Sequence, residues 1–267
     1  MPDLLRYPFM QHAYAAGTVV AVVAGVVGYF VVLRRLSFAA HGLSHVGFTG
    51  AAGAVALGIS PVAGLFVFTC AGASVMGALG KRAAERDVVI GTVLAWMLGL
   101  GVLFLSLYHG SATSAYALLF GQVFGISGRE VLVTLAAGLV TLSAVVVMWR
   151  PLLFSSVDED VAEAAGVPVR GLSVAFLIVL ALGVTVAVQV TGVLLIFALL
   201  VTPAAAAHRI TDRPARTLAA SIGIALLVTW AGLAIAYYTP YPVGFWITTL
   251  AFAAYLAARL VDWRRSR

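Results

Sequence analysis

Charge is what this sequence has least of. Of its 267 residues, 16 are Lys or Arg, 10 are Asp or Glu, and 63% are hydrophobic, where a soluble domain carries about 25% charged residues. That scarcity excludes an ordinary soluble protein and predicts an integral membrane protein. Cysteine is nearly missing as well. The single Cys70 can form no internal disulfide and cannot build a cysteine-based metal site, so it reads as a small core residue. Long polar stretches are lacking too: the interval from Arg150 to Arg170 is too short to bury a core of its own. The whole chain, 1–267, is therefore expected to be a single transmembrane domain with one polar loop at 150–171. No phosphate-binding Gly-x-x-x-x-Gly-Lys-[Ser/Thr] loop and no His-Glu-x-x-His pair occurs, which leaves no resident ATPase and no zinc hydrolase motif. The formal charge of +6 does not indicate nucleic acid, because the basic residues are scattered at the ends of apolar runs rather than gathered on one face.

What the chain has in quantity is apolar runs bounded by charge or turn residues. They predict helices near 11–33, 40–59, 62–79, 88–108, 131–149, 172–190, 192–208, 217–238 and 243–261. The segment 112–127 is too short to cross and is a candidate re-entrant piece. The expected fold is thus an all-α, polytopic bundle of about eight or nine transmembrane helices packed in lipid. Asp3 and Arg6 precede a run from Ala13 to Leu33 long enough to span, which argues for a retained helix rather than a cleaved leader. Lys and Arg accumulate on the cytoplasmic side of bacterial membranes. Placing the N-terminus outside puts Arg34, Arg35, Lys81, Arg82, Arg86, Arg150, Arg170, Arg209, Arg213, Arg216 and the basic tail inside, and leaves only Arg6 and Arg129 outside. The predicted C-terminus is cytoplasmic. No internal repeat is visible, which argues modestly against an inverted-repeat carrier.

Against this background His41 and His45 stand out. They are the only histidine, acidic or basic residues between Arg35 and Lys81. On a helix, that spacing stacks both imidazoles on one face with Cβ atoms about 5–6 Å apart, within reach of one divalent ion. The structural alternative is a pair of neutral histidines bonded to neighbouring helices. The pathway reading is preferred because an ionisable residue inside a membrane is by default a functional one. Ser44 reads as a packing hydroxyl. Gln122 either faces the same pathway or satisfies backbone in a turn. His109 reads as a loop residue, and His208, beside Arg209, as a cation at a helix C-terminus. Pro203 should kink its helix and so shape a passage or merely pack. Gln189 is a further intramembrane polar group without an assigned partner.

The polar loop contains its own short helix. Ser156 is expected to cap it with Glu159 reaching back, Asp158, Glu159 and Asp160 favour its positive end, and Gly166 with Pro168 ends it. A helix of two or three turns is not stable alone. It is either a solvated connector or a docking element that enters a groove of a partner.

Five groups of segments follow in order along the chain: Arg35-Leu36-Ser37 with His41-Gly42-Leu43-Ser44-His45 and Gly50; Phe120-Gly121-Gln122 with Ile126-Ser127; Asp158-Glu159-Asp160-Val161-Ala162 with Gly166; Gly192-Val193-Leu194-Leu195 with Ala198-Leu199-Leu200 and Pro203-Ala204-Ala205; and Pro242-Val243-Gly244. Taken together they resemble the permease subunits of bacterial ABC transporters for zinc, manganese and iron. The resemblance covers nearly the whole sequence. It implies the ABC importer permease fold, a multi-pass location in the bacterial plasma membrane, and pairing with a second permease copy as a homodimer. It also implies a separate cytoplasmic ATP-binding subunit, an extracytoplasmic metal-binding protein, and no permanently bound cofactor beyond the transported divalent ion. In such systems the segment Val157 to Ala165, with Asp158, Glu159, Asp160, Ala162 and Gly166, would couple ATP hydrolysis to the spans. Many members carry Asp where this chain has His41, and some carry a carboxylate or Asn near Gln122. A site richer in nitrogen tilts the expected cargo toward zinc, with manganese next, since imidazole suits zinc and oxygen ligands suit manganese. The competing readings are a permease for an iron chelate or cobalamin, and a stand-alone ion-coupled carrier in which the histidines relay protons.

Overall fold

The computed structural model describes residues 6–79, 83–108, 121 and 123–265. Nine helices of eighteen residues or more run through these residues: α1 (Pro8–Leu33), α2 (Ser37–Ala56), α3 (Pro61–Leu79), α4 (Ala83–Leu107), α5 (Gly128–Val157), α7 (Val169–Thr191), α8 (Val193–Ile210), α9 (Pro214–Tyr238) and α10 (Val243–Arg265). A six-residue helix, α6 (Glu159–Ala164), separates α5 from α7, and a short 3₁₀ turn, Val123–Gly125, precedes α5. Seven of the long helices have the length and apolarity to cross a membrane unaided. Of the other two, α2 is diluted by glycine, serine and histidine, and α8 is apolar over Leu195–Ile210.

The apolar surface is arranged for lipid. Trp96, Val102, Leu132, Val140, Val146 and Val147 point outward from α4 and α5 and are exposed, which in water would be an aggregation hazard and in hydrocarbon is the expected state. The core forms around α1, which packs against α5, α7, α8 and α9. Small residues set the spacing, as they do where no hydrophobic force draws helices together. A Cβ on Gly25 would lie 2.7 Å from Ile222 Cα, and at the same level Ser221 donates to the Gly25 carbonyl at 2.8 Å. A buried hydroxyl pair, Thr69 with Thr185 at 2.9 Å, joins α3 to α7.

Helix ends differ from the sequence expectation in two instructive places. The span expected at 131–149 is longer: α5 starts with a capping box in which Ser127 Oγ accepts from the Glu130 N–H at 3.3 Å and Glu130 accepts from the Ser127 N–H at 2.8 Å. It then continues through Pro151 to Val157. Proline forfeits one intrahelical bond, and tertiary contacts of the following turn hold the helix beyond it. Consequently Ser156 is not a cap. It lies inside α5 and donates to the Leu152 carbonyl. The cap of α6 is Asp158, which accepts from the Val161 N–H at 3.0 Å, because α5 runs to Val157, well into the stretch 150–171 expected to be loop.

Candidate functional site

The histidine pair lies in the first half of α2, a helix buried almost throughout. Of its twenty residues only Ser37, Phe38, His41, His45, Val55 and Ala56 are not buried. Glycines create that burial. Gly47 fits against the Thr69 methyl, Gly50 against the Gly64 carbonyl and Phe68 of α3, and Gly42 and Gly53 against Ile90 and Phe104 of α4. With α3 and α4 occupying the glycine faces, the remaining stripe Phe38–His41–His45 stays open. The two imidazoles meet edge to face with centroids 4.7 Å apart. Among the described residues no group of three or more His, Cys, Asp or Glu side chains stands ready for a metal, and there the two imidazoles stand as a pair.

The neighbour across the stripe is α8. Gly192, at φ 77°, separates it from α7, a backbone angle that glycine adopts without cost. Five residues past that break Phe197, itself partly exposed, places its ring 5.2 Å from the His41 ring. Pro203 is buried within the continuous α8. His208 lies with Arg209 in the last turn of α8, as expected, where it stacks on Tyr29 at 5.2 Å with Nε2 3.3 Å from the Tyr29 carbonyl, and Tyr29 stacks in turn on Trp149. At the opposite end of the bundle a cavity of about 850 Å³ opens between the 3₁₀ turn and the α9–α10 connection, lined by Phe124, Leu195, Tyr241, Pro242 and Phe245. Neither histidine lines it.

The short helix sits at the end where α1 and α5 finish. Ala162 is fully buried while Glu159, Asp160, Val161 and Glu163 face outward, so α6 stands on one alanine and presents an acidic and apolar face. It closes at Gly166, whose φ of 88° and N–H to the Glu163 carbonyl at 3.0 Å form the terminating turn. Beneath it lies Arg34, whose side chain is only 3% exposed and reaches Ser155, Ser156, Ser173 and, at 4.0 Å, Glu159.

With this geometry in place, comparison with known proteins is decisive. A profile of the ABC 3 transport family matches residues 6–262. The chain belongs to this family. The manganese transport system membrane protein MntC of Halalkalibacterium halodurans is 30% identical over 79% of this chain and 73% of its own length. The chelated iron transport system membrane protein YfeC of Yersinia pestis is 30% identical over 97% and 89% respectively. The solved structure of PsaBC from Streptococcus pneumoniae in complex with Fab superposes with a TM-score of 0.86 at 28% identity, covering 96% of this chain and 93% of that one. The bundle is an ABC permease fold, and the protein is a multi-pass membrane permease of an ABC metal importer.

Within the permease, the structure brings His41 and His45 together and gathers Asp158, Glu159, Asp160, Ala162 and Gly166 into α6 and its cap. Gln122, His109 and most of the segment 112–127 lie outside the described residues, as does the side chain of Gln189. Sequence reasoning missed Phe197, whose only signal was being the one aromatic besides His208 in 193–210. The charge map places Arg34 in an inside loop and carries no sign that its side chain is buried, since burial leaves no trace in such a map.

Proposed function

We propose that this permease imports a divalent first-row transition-metal ion, zinc first and manganese second, along a passage lined by His41 and His45. The observation that carries the reading is the open stripe on an otherwise buried helix. A glycine-packed α2 exposes little besides Phe38 and the two imidazoles, which touch one another at 4.7 Å. Two neutral nitrogen ligands bind an ion weakly enough to release it, and imidazole suits zinc better than manganese. Manganese as the alternative draws on the activity named for the MntC relative. An iron chelate, named for YfeC, would call for a wide apolar or arginine-lined passage rather than paired imidazoles.

In this reading residues 1–267 act as a single transmembrane domain in the bacterial plasma membrane, with the C-terminus and the 150–171 loop cytoplasmic. A second copy supplies a matching stripe as a homodimer. The ion arrives from an extracytoplasmic binding protein, and Gln122 and Pro203 contribute to the passage. ATP is bound and hydrolysed by a separate cytoplasmic subunit that engages α6 through Asp158, Glu159, Asp160, Ala162 and Gly166. Its movement switches the spans between outward- and inward-open states.

The test is ion uptake by vesicles containing the permease with its ATPase. Zinc uptake should require ATP, exceed manganese uptake, and vanish in the His41→Ala/His45→Ala variant while the ATPase still copurifies. Undiminished uptake by that variant would remove the pair from the passage. Uptake by the permease alone would replace the ABC mechanism with that of an ion-coupled carrier.

A further inference from the structure

The following rests on the coupling reading of α6. We propose that Arg34 is a positioning residue that ties α6 to the α1–α2 turn, so that displacement of α6 is delivered to the helix carrying His41 and His45. Its guanidinium addresses three elements at once. Nη1 donates to Ser155 Oγ at 2.8 Å and to Ser156 Oγ at 3.2 Å at the end of α5. Nη2 donates to Ser173 Oγ at 2.9 Å in α7 and lies 4.0 Å from Glu159 Oε1 on the first residue of α6. A planar fork can serve two directions in this way; a lysine ammonium on its flexible stem is a single point charge.

Stability does not explain the arrangement. Burying a cation against neutral hydroxyls is a poor way to hold helices together, and apolar replacements of buried charges are often neutral or stabilising. The serines do not need the arginine either, since Ser155 and Ser156 both donate to the Leu152 carbonyl, and Glu159 is 59% exposed to solvent. What Arg34 adds is a mechanical link at one point. The chain on its far side is stiff. Leu36 N–H bonds the Val31 carbonyl at 2.8 Å and Arg35 N–H bonds Val32 at 3.1 Å with Arg35 at φ 55°, the two bonds of a Schellman turn. Then α2 begins at Ser37, and His41 follows one turn later. A push on α6 therefore meets Arg34 through the 4.0 Å ion pair with Glu159 and through Ser155 and Ser156 just ahead of α6, and passes by a rigid turn into α2 rather than a flexible loop.

The experiment measures ions imported per ATP hydrolysed by the full complex in vesicles. Arg34→Ala and Arg34→Gln should lower that ratio about tenfold or more, the scale of losing hydrogen bonds to a charged group, while ATP hydrolysis and copurification of the ATPase persist. Arg34→Lys should recover part of it. If Arg34→Ala does not assemble, Arg34→Lys and the Ser155→Ala/Ser173→Ala pair, which keeps the arginine, should show the same loss to a smaller degree. An unchanged ratio in all variants, or uptake and hydrolysis falling together in proportion, would overturn the role and leave Arg34 a structural residue. A wild-type complex that hydrolyses ATP but imports no ion would instead overturn the functional reading beneath it.

Discussion

Asp158 separates two physical roles that an acidic helix start usually confounds. Its carboxylate accepts from the Val161 N–H at 3.0 Å as the cap of a six-residue helix, and its charge is exposed on the element proposed to engage the ATPase. A helix this short has no stability of its own. It is held by the cap, by fully buried Ala162, and by the Gly166 and Val167 N–H bonds to Glu163 and Ala162, both at 3.0 Å. Removing the cap with Asp158→Ala should cost about 1 kcal/mol, roughly a fivefold shift in the ordered population. Asp158→Asn keeps a side-chain acceptor at the same position and loses only the charge, so its capping cost should be a few tenths of a kcal/mol. Titrating the detergent-solubilised permease with its ATPase should give roughly fivefold weaker binding for Asp158→Ala and less than twofold for Asp158→Asn. Equal weakening by both would show that charge, not helix order, governs docking. No change in either would remove α6 from the interface.

Three further outcomes are expected. Gly25→Ala would place a Cβ 2.7 Å from Ile222 Cα and strain the Ser221 hydrogen bond, costing about 1–3 kcal/mol in denaturant-induced unfolding. The control Gly223→Ala, with nothing within 4 Å of the added atom, should stabilise α9 by about 0.5–1 kcal/mol. Arg35→Gly relieves a left-handed conformation at φ 55° and should raise the melting temperature, the relief of about 1–2 kcal/mol exceeding the entropy that glycine adds to the unfolded chain; a lower melting temperature would show that the Arg35 side chain holds the turn. Ser127→Ala dismantles the capping box of α5 and should lower stability by about 1 kcal/mol with metal uptake per ATP unaltered.

The sequence by itself determined the membrane class, the approximate positions of the long helices, and the residues worth suspecting. Hydrophobic runs of spanning length and the near absence of charge are one-dimensional signals, because lipid tests every residue of a span independently of its neighbours. The i, i+4 histidines were visible for the same local reason. Helix limits that depend on competition were not: α5 runs through Pro151, and Asp158 rather than Ser156 caps α6, because distant groups decide where the chain turns. Only tertiary structure showed that glycines seal α2 on the faces toward α3 and α4 and leave the histidines open, that Phe197 of α8 reaches His41 of α2, and that Arg34 is buried among three helices. Each depends on which faces meet, and no pattern along the chain records that.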